Sequence, residues 1–333
     1  MKLYQKIILI FFVPILFFVI LEMFLRISSW NKILGPERFY GGLEDHSLFW
    51  DPNNIIKIPT DEYRLENEFR GKKVSAKKST NVYRIICLGG SFTYGWPYND
   101  NPSIAYPAVL ERLLNSSVDL EKRYEVINAG IGGYTSYQAL FYFKNRLYKL
   151  KPDLVTVCFG ANDRNNNYEI GVFCSDREYY EGLASLSKNK LLFKIKSFLN
   201  NLRVYALMEK VVFSIKKVFI KPKQRVSPQE FRDNLEEFIN LAKIYNFKLL
   251  FIIEPHRNLN KFEEEIKVDP YYNIMYKLAK ENSEWLKLVD TISLVRMYKD
   301  DDIFYDVMHL NPIGHKIVAQ LILYVLQKSD FLN

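Results

Sequence analysis

Ile85-Ile86-Cys87-Leu88-Gly89-Gly90-Ser91-Phe92-Thr93-Tyr94-Gly95 is the stretch on which the fold turns. A short apolar run that stops at a turn signal reads as a strand buried on both faces. A serine delivered by two glycines at a strand's carboxyl end can sit on a tight turn with its hydroxyl exposed. It can equally serve as a helix N-cap. No Gly-Lys-[Ser/Thr] follows at the spacing of a phosphate-binding loop, and no Gly-x-Ser-x-Gly elbow is formed.

That run makes Tyr83–Leu88 a strand candidate, and the others are Tyr124–Asn128, Leu154–Phe159, Lys248–Glu254 and, more weakly, Leu286–Val289. Helical patterns lie between and after them at 104–115, 136–150, 228–244, 270–282 and 312–328. Apolar, β-branched strands spaced by helices predict βαβ units and an α/β fold: a parallel sheet covered on both faces, hence three layers. In such sheets, sites form at the carboxyl ends of the strands.

The unusual residues fall there. The second strand ends Asn128-Ala-Gly130-Ile-Gly132-Gly133-Tyr134-Thr135-Ser136, whose glycines let backbone N–H groups approach a ligand or simply make a turn before a capped helix. The third ends Gly160-Ala161-Asn162-Asp163, where an asparagine can supply an N–H₂ donor or satisfy its own turn. Near the C-terminus comes Asp306-Val-Met-His309-Leu-Asn311-Pro312-Ile-Gly314-His315. An acid three residues before a histidine can hold the imidazole tautomer and stabilise the imidazolium. Of the four histidines, His309 alone has an acid placed this way; His315, on the first turns of the last helix, reads as structural, and His46 has no role. His256 follows a strand and is a candidate to line the site. No set of His, Cys and Asp has zinc-ligand spacing.

Together, in this order, the blocks resemble the SGNH or GDSL-like hydrolase family. Gly89-Gly90-Ser91-Phe92-Thr93 is similar to the first block, with Gly90 standing where the family has an acid; Asn128–Ser136, Gly160-Ala161-Asn162-Asp163 and Asp306-Val-Met-His309 are similar to the others. The resemblance covers roughly residues 81–328. It implies a flavodoxin-like parallel sheet and a carboxylic ester hydrolase with Ser91 as nucleophile, His309 as base and Asp306 as its partner. It implies an oxyanion hole from Ser91, Gly133 and Asn162, with Asp163, Glu254 and His256 as candidate substrate-binding residues. Neither metal nor cofactor is required. A sugar hydroxyl in place of water would make the same machinery an O-acyltransferase; a catalytically silent carbohydrate-binding protein of this fold is the rival of another class. Tyr63–Gly71 is similar, only loosely, to a lead-in of membrane-anchored family members.

Composition and the termini set the context. The 333 residues carry 48% hydrophobic and 25% charged side chains, globular usage that excludes a disordered chain. Three cysteines make no disulfide framework. From Ile7 to Leu25 every residue except Glu22 is apolar or proline, long enough to cross a hydrocarbon core of ~30 Å and with no small-residue cleavage site after it. Residues 1–30 are therefore expected to be an uncleaved signal anchor and transmembrane helix. The short basic N-terminus favours the cytoplasm, which places the remaining ~300 residues outside, although Arg26 and Lys32 weaken the bias. Residues 31–80 read as a turn-rich lead-in and 81–330 as the esterase domain. At about 188–225, eleven Lys or Arg with Glu209 as the one acid interleave with Leu, Val and Phe. This insertion is expected to be a cationic helical excursion packed on the domain, or an interfacial element on an anionic membrane. The net charge of +8 resides largely here, which argues against nucleic acid. The expected partners are thus an acyl ester of a carbohydrate or lipid, and the membrane.

Overall fold

The computed structural model describes residues 2–34, 69–116, 122–170, 172–255, 257, 269–292, 297–298 and 300–332. His46, His256 and residues 35–68 of the lead-in lie outside them. The chain divides into two compact units, Met1–Ile58 with Asn166–Lys223 and Pro59–Asn165 with Gln224–Asn333.

The second unit holds the sheet. Its strands are β1 (Val82–Gly89), β2 (Arg123–Gly130), β3 (Leu154–Cys158), β4 (Lys248–Ile252) and β5 (Leu286–Val289). All pair in parallel in the order β2-β1-β3-β4-β5. This is the flavodoxin-like order, with its switch point at β1 and β3. Ile85, Ile86 and Cys87 of β1 and the whole of β3 are buried, as expected where helices cover both faces. Register matters for the site: Gly89 of β1 pairs with Gly130 of β2 on one side and Cys158 of β3 on the other. Three strands thus release their loops at one level.

The helices of this unit start where their sequences say they should. Ser227 accepts from Glu230 N–H (3.3 Å) while the Glu230 carboxylate accepts from Ser227 N–H (2.9 Å), a reciprocal cap ahead of Pro228–Tyr245. Asn311 accepts from Gly314 N–H (2.9 Å) and Pro312 occupies the first position of the C-terminal helix, Pro312–Gln327. The helix expected over 136–150 is shorter, Ser136–Asn145, and breaks at Arg146 before a 3₁₀ turn at Leu147–Leu150.

The first unit contains α1 (Leu3–Ile27), α2 (Trp30–Leu34), α3 (Asp176–Lys188), α4 (Lys190–Asn200) and α5 (Arg203–Phe219), the last three following one another without a strand between. It takes up the excursion from Asn166, ahead of the cationic stretch that marks it in the sequence. Leu25, Leu34 and Ala206 form its small buried cluster, with Leu21, Val204 and Leu207 packed around them.

At the amino ends of the strands, far along the sheet from the loops after β1 and β3, Arg84 is buried yet fully engaged. Its guanidinium donates to Glu125 Oε2 (2.5 Å), to the Leu150 carbonyl (2.6 Å) and to the Ser75 carbonyl (3.0 Å). Removing one partner of a buried pair strands the others. Arg84→Ala is expected to cost about 2–4 kcal/mol, read as a lowered urea midpoint of the detergent-solubilised full chain.

Candidate active site

The first loop leaves β1 at Gly89 and turns at once into a single helical turn, Ser91–Tyr94. Ser91 stands at its first position, so the hydroxyl sits beyond the sheet edge. The fit is close: a Cβ on Gly90 would lie 2.8 Å from Asn162 Nδ2, so a larger residue there requires the asparagine amide to shift. The second loop passes through Gly133 at φ +77°, a left-handed conformation that glycine adopts without strain. Its carbonyl accepts from Arg225 Nη1 (2.8 Å), and the same guanidinium donates to Gln138 Oε1 (3.0 Å). The third loop holds Asn162 through Nδ2 donating to the Tyr134 carbonyl (2.9 Å). Gly133 and Asn162 thus belong to loops tied to each other and to Arg225 by hydrogen bonds.

A tight loop between Ile303 and Asn311 delivers the histidine. Phe304 and Leu310 form an antiparallel bridge, and Tyr305 N–H donates to the His309 carbonyl (2.8 Å). His309 Nε2 lies 2.8 Å from Ser91 Oγ, and His309 Nδ1 lies 2.8 Å from Asp306 Oδ2 and 3.0 Å from Oδ1. Asp306 Oδ1 also accepts from the N–H groups of Met308 (2.9 Å) and His309 (2.8 Å). Partial burial pushes this carboxyl up, but the hydrogen bonds from the His309 ring and the two backbone amides outweigh it and hold it below its ordinary value. A carboxylate so placed fixes the imidazole with Nδ1–H toward itself and leaves Nε2 free to accept the serine proton.

His315 is elsewhere. It is fully buried against Phe92, with a 6.1 Å ring separation, and among the described residues neither ring nitrogen has a hydrogen-bond partner. Burial first, then the neighbouring His309 and Arg70, pushes it down to about 3, so it stays a neutral packing group. Asp163 and Glu254 require a correction, because both carboxylates point inward rather than into the cleft. Asp163, wholly buried, accepts from Ser136 N–H (3.0 Å) and Ser136 Oγ (2.5 Å) through one oxygen and from Gly160 N–H (3.2 Å) through the other. Glu254 accepts from Ala161 N–H (3.2 Å). Both therefore brace the loop that carries Asn162. A carboxylate needed as a backbone acceptor looks the same in sequence as one needed for substrate.

Sequence reading missed three groups. Trp96 packs on the His309 imidazole at 4.5 Å between ring centroids, with Tyr305 edge-on to it at 6.0 Å. Arg225, counted there among the cations of the insertion, is buried and pins the Gly133 loop. Arg164 makes a two-pronged contact with Asp269 at 3.0 Å for each prong. The one available signal was the position of Trp96, five residues beyond the serine. Among the described residues, no three His, Cys, Asp or Glu side chains converge as a metal set.

Residues 87–317 match the model of the GDSL-like lipase/acylhydrolase family, and this span takes in all four loops. The chain belongs to that family. The fold is accordingly that of the SGNH hydrolases. A lipase/acylhydrolase from Enterococcus faecalis is 17% identical over 74% of this chain and 96% of its own, with a TM-score of 0.48. An acetyl xylan esterase from Geobacillus stearothermophilus is 17% identical over 73% of this chain and 93% of its own, with a TM-score of 0.46. A search of curated proteins gave no match.

Glu254 supplies a pH test of the bracing. Burial, opposed by the Ala161 N–H and by Arg164, pushes its carboxyl up to about 7 from an ordinary 4.5. The folded state therefore prefers the protonated form, and the stability this gives is present below pH 4.5 and lost as pH rises to about 7. Glu254→Gln keeps the acceptor oxygen and cannot ionise. The difference in urea midpoint between wild type and variant is expected to shift toward the variant between those pH values and to level off above.

Proposed function

We propose that this hydrolase is a serine esterase working through an acyl-enzyme, tethered to a membrane by α1 and directed at acyl esters of a carbohydrate outside the cytoplasm. One observation carries the reading: the unbroken chain from Ser91 Oγ to His309 Nε2 at 2.8 Å and from His309 Nδ1 to Asp306 Oδ2 at 2.8 Å. His309 takes the Ser91 proton as Oγ attacks the ester carbonyl, and Asp306 stabilises the imidazolium. The tetrahedral oxyanion is received by the N–H groups of Ser91 and Gly133 and by Asn162 Nδ2. His309 returns the proton to the departing alcohol, and water repeats the sequence to release the acid.

Support for a carbohydrate comes from the rim. Trp96, Tyr98 and Tyr305 form an aromatic edge beside His309, with Tyr305 more than half exposed. Flat amphipathic rings of this kind accept the C–H face of a sugar while their polar atoms stay wet. Support for the tether comes from α1, whose Ile10–Ile27 span is long and apolar enough to cross a membrane and almost entirely exposed. Its 18 residues rise about 27 Å, close to a hydrocarbon core of ~30 Å.

The full chain in detergent is expected to hydrolyse p-nitrophenyl acetate faster than long-chain esters, and to release acetate from acetylated oligosaccharides. Ser91→Ala should abolish turnover with the circular dichroism spectrum unchanged, and Asn162→Ala should lower kcat by about 10²–10³. Turnover retained by the Ser91 variant removes the nucleophile, and a preference for long acyl chains over acetylated sugars removes the carbohydrate.

A further inference from the structure

Glu22 is the one charged residue between Ile7 and Leu25. Its carboxylate is not idle: Oε1 accepts from Arg203 N–H (3.0 Å) and Oε2 from Val204 N–H (2.8 Å). These are the first two amides of α5, so a residue of the apolar helix caps the N-terminus of the basic excursion's last helix. Around this contact, Arg26 binds Glu22 (2.7 Å) and the Asn201 carbonyl (2.9 Å), and Arg203 donates to Asn31 (2.7 Å). Polar groups thus gather where α1 ends. Glu22 lies five residues before Ile27, about 7.5 Å along the helix axis.

From that level α5 runs as an amphipathic helix. Val204, Leu207, Met208, Val211, Val212, Ile215, Val218 and Phe219 fall within an arc of about 140° at 100° per residue. From Met208 onward every one of these is exposed. The other side is already occupied: Phe213 packs on Phe173 (4.7 Å) and Tyr168 (5.6 Å), Lys217 lies over the Tyr168 ring, and Glu209 pairs with Lys196 (2.9 Å). α4 repeats the pattern, with Leu191, Leu192, Ile195 and Phe198 exposed and flanked by Lys190 and Lys194.

We infer that α4 and α5 lie in the interface of the bilayer that α1 spans, their apolar faces in the acyl boundary and their lysines among anionic headgroups. The inference rests on the tether proposed above and adds a second membrane-contacting surface to it. Continuity selects lipid as the occupant. The exposed apolar face of α5 starts at the residues capped by Glu22, in the same compact unit as α1. The depth of that cap matches the ~5–10 Å to which an interfacial helix sinks. Basic side chains along such a face suit an anionic surface.

The test is spin-label accessibility of the full chain in nanodiscs containing anionic phospholipid, in a Cys174→Ser background because Cys87 and Cys158 are buried. Labels at Val211→Cys and Ile215→Cys should favour oxygen over a nickel chelate severalfold more than labels at Lys210→Cys and Lys216→Cys, and less so in zwitterionic discs. Glu22→Leu should shrink the contrast while leaving hydrolysis of a soluble ester intact. Equal, water-like accessibility on both faces, with a label at Ile15→Cys still in lipid, overturns the interfacial surface and leaves the tether standing. A water-exposed label at Ile15 overturns the tether and the surface with it. Spin–spin broadening at Val211 that vanishes on dilution with unlabelled chain shows a second copy covering the face, which also overturns the proposal.

Discussion

The buried carboxylate of Asp163 is the constraint behind the site. One oxygen collects the Ser136 amide and hydroxyl from the loop after β2, and the other collects the Gly160 amide from the loop after β3. Asn234 adds to the Ser136 hydroxyl from the helix Pro228–Tyr245. Two loops that leave a parallel sheet at one level would otherwise be free to separate. Hydrogen bonds in a low-dielectric interior are stronger than the same bonds in water, and breaking them would strand buried donors. The spacing of Gly133 and Asn162 therefore follows from a residue that never faces the cleft.

The first loop obeys a second constraint, set by volume. Asn162 rests against the open side of Gly90, where family members of the Gly-Asp-Ser-Leu type carry an acid. In this chain the asparagine amide occupies the room that a Cβ would take. Identity at position 90 and placement at position 162 are thus one packing decision, although seventy-two positions separate them.

Much of this was legible in the sequence, for identifiable reasons. Short, β-branched, largely apolar runs such as Ile85–Leu88 and Leu154–Cys158, too short for helices and spaced by helical patterns, read as strands buried on both faces, so sheet and order of elements were readable. Ser91, His309 and Asp306 were singled out by the resemblance of the ordered blocks, since the serine alone reads equally as a helix cap; the structure brings the three side chains within hydrogen-bond reach. Contacts between distant segments were not legible. Trp96 against His309 and Arg225 against the Gly133 carbonyl depend on tertiary approach, which leaves no periodic trace. Strand β4 was read two residues too long, to Glu254, because Ile253 is apolar and its amide still bonds to Val289 beyond the regular ladder. The compact unit takes in the chain from Asn166, ahead of the cationic stretch at about 188–225, and charge gave no sign of this because Asp176, Glu178 and Glu181 offset the cations of its first long helix.

The chain order of these pieces has a consequence for biosynthesis. Both units are discontinuous: α1 and α2 come first, three strands follow, then the excursion, and only afterwards β4 and β5. Glu22 emerges from the ribosome 182 residues before Val204, which at about 5–20 residues per second is a wait of roughly 10–40 s. For that interval Glu22 has Arg26 of its own helix but not the α5 amides it will cap, and β3 has an open edge where β4 will later pair. Cotranslational folding of this protein is therefore a matter of holding two unfinished structures at once, each closed by a segment that the other one interrupts.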